Sequence, residues 1–181
     1  MRESKSKNDD MEQEDMETEA ESAGDVFEML KADHRQVQDL FTRFEDADKR
    51  TKTSIAEEVL TSLEVHAALE EELVYPALAE VLDDEETINE AKEEHHVAKL
   101  LIKELRKMDA DEEGFATKFK VLGELVSHHI EEEEGEVFPQ AQEGGFEPES
   151  ISEEVSKRKA KLMQKYEGGK KSAGSRRKKA A

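Results

Sequence analysis

The sequence predicts an all-α protein, an antiparallel four-helix bundle with a short extra C-terminal helix and disordered tails. Three observations carry this. Four stretches of about 20 residues are apolar at every third or fourth position and are joined by short polar loops, the pattern of amphipathic helices packed side by side. Trp is absent and there are only three Pro, which disfavours a β-sandwich rich in turns. The second stretch also falls on the fourth when shifted by 63 positions, as a duplicated helical hairpin would.

The first helix spans about 25–47, opened by Asp25 with Glu28 three residues on, and its stripe is Phe27, Leu30, His34, Val37, Phe41 and Phe44. The second is expected to begin near Ser54, with Glu57 completing a capping box, and to run through Val59, Leu63, His66, Glu70 and Leu73 to the region of Pro76. The third starts near Thr87 and carries Ala91, His95, Ala98, Ile102 and Leu105 on one face. The fourth covers about 113–139 with Phe119, Leu122, Val126, His129, Glu133 and Val137. A shorter fifth, capped by Ser150 and Glu153, covers about 148–166 and is expected to stop before Gly168-Gly169. The resulting division is a disordered acidic tail over 1–24, the bundle over 25–145, the C-terminal helix over 146–167 and a disordered basic tail over 168–181.

Composition narrows the function classes. Residues 1–24 hold nine acids against three bases and almost no large apolar side chains, too few to order the segment by burial. Residues 168–181 hold six bases and no acid, so the two ends offset each other and the bundle carries nearly all of the formal charge of −20. Such a domain repels nucleic-acid phosphates, which leaves the basic C-terminal end as the one candidate for nucleic-acid contact. Cysteine is absent, so disulfides, thiolate metal sites and thiol nucleophiles are excluded. No apolar stretch fits a signal peptide or a membrane span, and the expected location is cytoplasmic.

The chemistry lies in the stripes. Each contains one histidine where Leu and Val would be expected, and two contain a glutamate one turn later: His66 with Glu70, and His129 with Glu133. The shift of 63 also matches Glu71 to Glu134, Tyr75 to Phe138 and Pro76 to Pro139, while Asp33-His34 matches Glu94-His95 more weakly. A single core histidine is ordinarily satisfied by hydrogen bonds. Four of them with two carboxylates at one level of a bundle are costly unless a cation sits among them. Two carboxylates facing each other suit a pair of metals, and imidazole and carboxylate donors without sulfur suit iron first, with manganese or zinc as alternatives. Two six-coordinate ions offer about twelve positions, of which this donor set fills about eight, so the centre would be open to a small ligand. A ferritin-type site would need Glu-x-x-His on two helices, and only Glu93-x-x-His96 fits. No Gly-rich phosphate loop or nucleophile elbow is present.

These residues resemble the hemerythrin-like, or HHE cation-binding, domains over about 25–145. The resemblance rests on the first-helix histidine, His-x-x-x-Glu with an aromatic-Pro in the second helix, Glu-Glu-His-His opening the third, and His-x-x-x-Glu with Phe-Pro in the fourth. It implies a helical bundle holding two iron ions, bridged by oxide or hydroxide, with His34, His66, Glu70, His95, His129 and Glu133 as ligands. It also implies dioxygen, peroxide or nitric oxide as the small partner. Two features differ from the oxygen-carrying hemerythrins, which have a further histidine where this chain has Lys99 and His-x-x-x-x-Asp in the last helix. A seventh ligand is open among His96, His128, Glu71 and Glu134. Three functions follow: a di-iron protein that binds or senses such a molecule or handles iron, a di-iron enzyme that breaks down peroxide or nitric oxide, and a non-catalytic interaction module with charged tails.

Overall fold

The computed structural model describes residues 24–82 and 85–178, and within them only helices, turns and bends. Most of the acidic N-terminal segment and the last three residues of the basic tail lie outside the described residues. Helix α1 runs Val26–Asp46, and the Asp25 carboxylate caps it by accepting from the Glu28 N–H, as the sequence predicts. Helix α2 runs Lys49–Leu69, five residues earlier than the Ser54 capping pattern suggests. Asp48 is the true cap, its side chain accepting from Thr51 N at 3.0 Å, and Ser54 stands on the exposed face of the helix.

The chain continues from α2 through a π turn, Glu70–Val74, into a short α3, Tyr75–Leu78. Helix α4 spans Glu85–Leu105 and α5 spans Phe115–Glu132, its start marked by Gly114 at φ 89°, a conformation that glycine adopts without strain. A second π turn, Glu133–Val137, leads into α6, Phe138–Glu143. A 3₁₀ turn, Pro148–Ile151, then opens α7, Ser152–Lys178. The helical backbone therefore passes through Gly168-Gly169, where the sequence pattern ends it. Each glycine costs only about 1 kcal/mol in a helix interior, and the Lys, Ala and Arg that flank the pair are good helix formers.

Both π turns have the same local cause. Pro76 and Pro139 lack an N–H, and in a regular α-helix their rings would strike the carbonyls four residues back. Widening the turn by one residue relieves that clash. Each widened turn begins at one of the inner glutamates, Glu70 or Glu133.

α1, α2, α4 and α5 form the bundle. One apolar layer gathers Phe27, Leu30, Leu69, Tyr75, Phe138 and Val155, and a second gathers Val37, Phe44, Val59, Ile102, Phe119 and Leu122. The four histidines fall between the two layers. α7 lies along α2, and its Val155 and Leu162 belong to the first layer. Among the described residues no helix is long and apolar enough to cross a membrane.

Candidate metal centre

The stripes bring His34, His66, Glu70, His95, His129 and Glu133 to one level, all buried, with Glu70 0% and Glu133 1% exposed. Their inward atoms form two groups: His34, His66, Glu70 and Glu133 in one, and Glu70, His95 and His129 in the other, the atoms of each within 4.8 Å of one another. His34 Nε2 lies 2.9 Å from His66 Nε2, and His95 Nε2 lies 3.2 Å from His129 Nε2. Glu70 spans the two pairs, with Oε1 2.8 Å from His66 Nε2 and Oε2 3.3 Å from His95 Nε2. Glu133 spans them from the other side, its Oε2 3.3 Å from His34 Nε2 and 3.9 Å from His129 Nε2. Each hairpin thus lends its carboxylate to both halves.

A second set of carboxylates stands outside the imidazoles. His34 Nδ1 meets Glu134 Oε1 at 2.7 Å, His95 Nδ1 meets Glu71 Oε1 at 3.2 Å, and His129 Nδ1 meets Glu94 Oε2 at 2.8 Å. Asp33 Oδ2 occupies the matching place near His66 Nδ1 at 3.7 Å. Each of these carboxylates neighbours an inner residue in sequence and serves an imidazole of another helix. The acid run offers Glu131, Glu132 and Glu134 alike as solvated or imidazole-orienting carboxylates; Glu134 is the one that meets an imidazole here, and the parts played by Asp33 and Glu94 are unread in the sequence. Of the seventh-ligand candidates, Glu71 and Glu134 turn to Nδ1 atoms, while His96 and His128 are exposed. Lys99, one turn after His95, holds Glu71 with its Nζ 2.5 Å from both carboxylate oxygens.

The tautomers follow from these contacts. A carboxylate at Nδ1 requires a proton there, so a neutral ring turns its Nε2 lone pair inward. Two such pairs face each other beside two carboxylates in a buried layer. All four oxygens of Glu70 and Glu133 lack a well-aligned hydrogen bond, even where an imidazole is close. Protons partly relieve the crowding. Burial pushes the His66 imidazole down, but the charge of Glu70, helped by Asp33 and Glu133, overrides it and carries the group up to about 10. Burial also raises Glu70, yet His66 and His95 overcome that and hold it well below the usual carboxylate range. Glu133 goes the other way, pushed up by burial and then by Glu70. A divalent ion would replace these protons, and the donor set fits one.

Two apolar features frame the centre. Tyr75 stacks on His95 with ring centroids 5.6 Å apart, and Phe138 stacks on His34 at 6.5 Å. A cavity of about 40 Å³ touches all four imidazoles and is walled by Val37, Leu63, Ala98, Ile102, Val126 and Ile130.

The model of the hemerythrin HHE cation-binding domain matches residues 14–141. The chain belongs to this family. The HHE domain is also similar to the crystal structure of a hemerythrin HHE cation-binding domain-containing protein from Mycobacterium kansasii, with a TM-score of 0.65 and 24% identity over 80% of this chain and 88% of that one. A curated relative named DNA nickase, from a Nostoc species, is 23% identical over 152 residues, 82% of this chain. The HHE chain spans 43% of that relative's length.

Proposed function

We propose that this HHE domain holds a pair of iron ions and uses it to bind dioxygen, peroxide or nitric oxide. The observation that carries the reading is the convergence of four inward Nε2 atoms on two buried carboxylates whose oxygens lack a well-aligned hydrogen bond. His34, His66 and Glu133 would serve one ion and His95 and His129 the other, with Glu70 and Glu133 reaching both. When bound, such a pair supplies coordination positions and electrons for a small oxidising molecule.

The residues of the chain do the rest. Glu134, Glu71 and Glu94 keep protons at the Nδ1 atoms of His34, His95 and His129 and so fix the direction of those imidazoles, while Asp33 stands 3.7 Å from Nδ1 of His66. The cavity accepts something the size of a diatomic molecule, since about 10–15 Å³ of such space holds one water. Its apolar walls favour neutral ligands over hydrated ions. The test is to load the metal-free protein with ferrous iron in air and measure bound iron and visible absorption. About two ions per chain with absorption bands of a coupled pair are expected; fewer ions and no such bands count against the reading.

The cavity at the imidazoles, with Lys99 where an oxygen carrier has a further ligand, favours a second reading, an enzyme that consumes peroxide or nitric oxide. It predicts turnover above that of free iron, lost in His66→Ala. Equal rates for the two proteins eliminate it.

A further inference from the structure

We infer that the outer seam between α4 and α5 carries a further divalent-cation site, made by Glu94, His128 and Glu132 and distinct from the inner pair. The two hairpins of the duplication differ at this seam. In the first hairpin, α7 covers the equivalent seam and sets Lys159 Nζ against Asp33, 2.5 and 2.7 Å from its two oxygens. Asp33, the carboxylate beside His66, therefore has a cation. Its counterpart beside His129 is Glu94, and among the described residues no lysine or arginine pairs with Glu94.

What stands there instead is a donor set. Glu94 is fixed by its Oε2, which accepts from His129 Nδ1 at 2.8 Å, and this leaves Oε1 facing His128 Nε2 at 3.9 Å. His128 Nε2 is in turn 3.2 Å from Glu132 Oε1, one turn along α5 on the same face. The three donor atoms lie within 4.8 Å of one another. Shifted back by 63 positions, His128 and Glu132 become Val65 and Leu69, both buried in the apolar layer that α7 completes. At these two positions ligating residue types thus stand only in the hairpin that α7 leaves open. The side chain of His128 is 61% exposed and that of Glu132 is 37% exposed, so water can fill the remaining positions.

One imidazole nitrogen and two carboxylates on an open surface suit zinc, manganous or ferrous ion. The two negative charges match a divalent ion better than the single charge of an ammonium. Because Glu94 touches His129 with its other oxygen, an ion here sits one carboxylate away from the inner imidazoles.

Manganous ion is the probe. The full chain, stripped with chelator, is titrated and followed by electron paramagnetic resonance, in which an isolated ion gives a six-line signal and a bridged pair a broadened one. About three ions per chain are expected, one of them isolated. The double variant H128A/E132Q should lose the isolated ion, or bind it at least about tenfold more weakly, and keep the coupled pair. H66A/E70Q should lose the pair and keep the isolated ion. Equal isolated-ion affinity in parent and H128A/E132Q overturns the inference, because the acidic surface would then be binding without this triad. So does the absence of any isolated signal. A parent that binds only one ion, lost in H128A/E132Q, upholds the outer site and removes the inner pair.

Discussion

The two hairpins are built alike and finished differently. In α1 and α2 the seam is closed by α7, the outer carboxylate Asp33 is neutralised by Lys159, and Tyr75 stacks beside the site. In α4 and α5 the seam is not covered by α7, Glu94 faces His128, and Phe138 takes the place of the tyrosine. The inner carboxylates inherit the asymmetry. Glu70 has two imidazoles within 3.3 Å, whereas Glu133 has its own at 3.3 and 3.9 Å and feels the charge of Glu70 besides. A duplicated fold has thus become one firmly held carboxylate and one repelled carboxylate.

The largest test of that difference is a pair of matched substitutions in chelator. Glu70→Gln leaves His66 buried without its counter-charge and should cost about 3–5 kcal/mol, the usual penalty for breaking a buried ion pair. Glu133→Gln removes a carboxylate already pushed toward its neutral form and should cost far less. Denaturant midpoints of the two variants decide it, and equal losses would show that the hairpins share the charge evenly.

The pH profile of the metal-free protein sharpens the same point. His66 rises from about 6.5 in the unfolded chain to about 10 in the folded one. Its contribution is therefore complete below about pH 6.5 and is lost as pH rises through about 10. Glu70, held low, contributes above the ordinary carboxylate range and loses its share only as pH falls through its depressed value. The melting temperature in chelator should fall steadily between pH 7 and 10, and in Glu70→Gln this fall should flatten. Metal loading should show the opposite trend, strengthening with pH because the ion displaces the His66 proton.

How much of this the sequence reveals depends on the range of the interaction. The six inner residues are legible because a histidine inside an apolar stripe violates the pattern that identifies the helix, and the repeat reproduces the violation. The roles of the outer carboxylates are mostly not legible. The run from Glu131 to Glu134 offers four equivalent acids, and the π turn that selects Glu134 arises from a proline five residues further on. The start of α2 is misread because Ser54 and Glu57 satisfy a capping pattern that Asp48 satisfies in fact. The contact of Lys159 with Asp33 spans 126 positions, and no periodicity reports it.

Closure of the first seam can be weakened directly. Val155, fully buried under α2, should cost about 2 kcal/mol as Val155→Ala, from two lost methyl groups at about 0.8 kcal/mol each plus some cavity. Tyr75→Phe makes the two hairpins alike at the ring that faces the site. The Tyr75 hydroxyl is buried without a well-formed hydrogen bond, and burial with the two inner carboxylates pushes its ionisation far up. Its removal in chelator should be neutral or stabilising by about 1 kcal/mol, and a loss of stability would mean that the hydroxyl donates to Glu133.

The smallest effect belongs to Lys159. Its side chain is 31% exposed, so water screens the pair with Asp33, and Lys159→Ala should cost only about 0.2–1 kcal/mol. A double-mutant cycle with Asp33→Ala isolates the coupling from the lost methylenes of the lysine stem. The result bears on the comparison between hairpins because among the described residues Glu94 has no such lysine. If the coupling is near zero, the ammonium merely covers the seam, and the open hairpin lacks nothing by its absence. If the coupling approaches the upper figure, Asp33 needs a cation to hold its position beside His66, and Glu94 beside His129 has the same need, met by protonated His128 or by an ion held with His128 and Glu132.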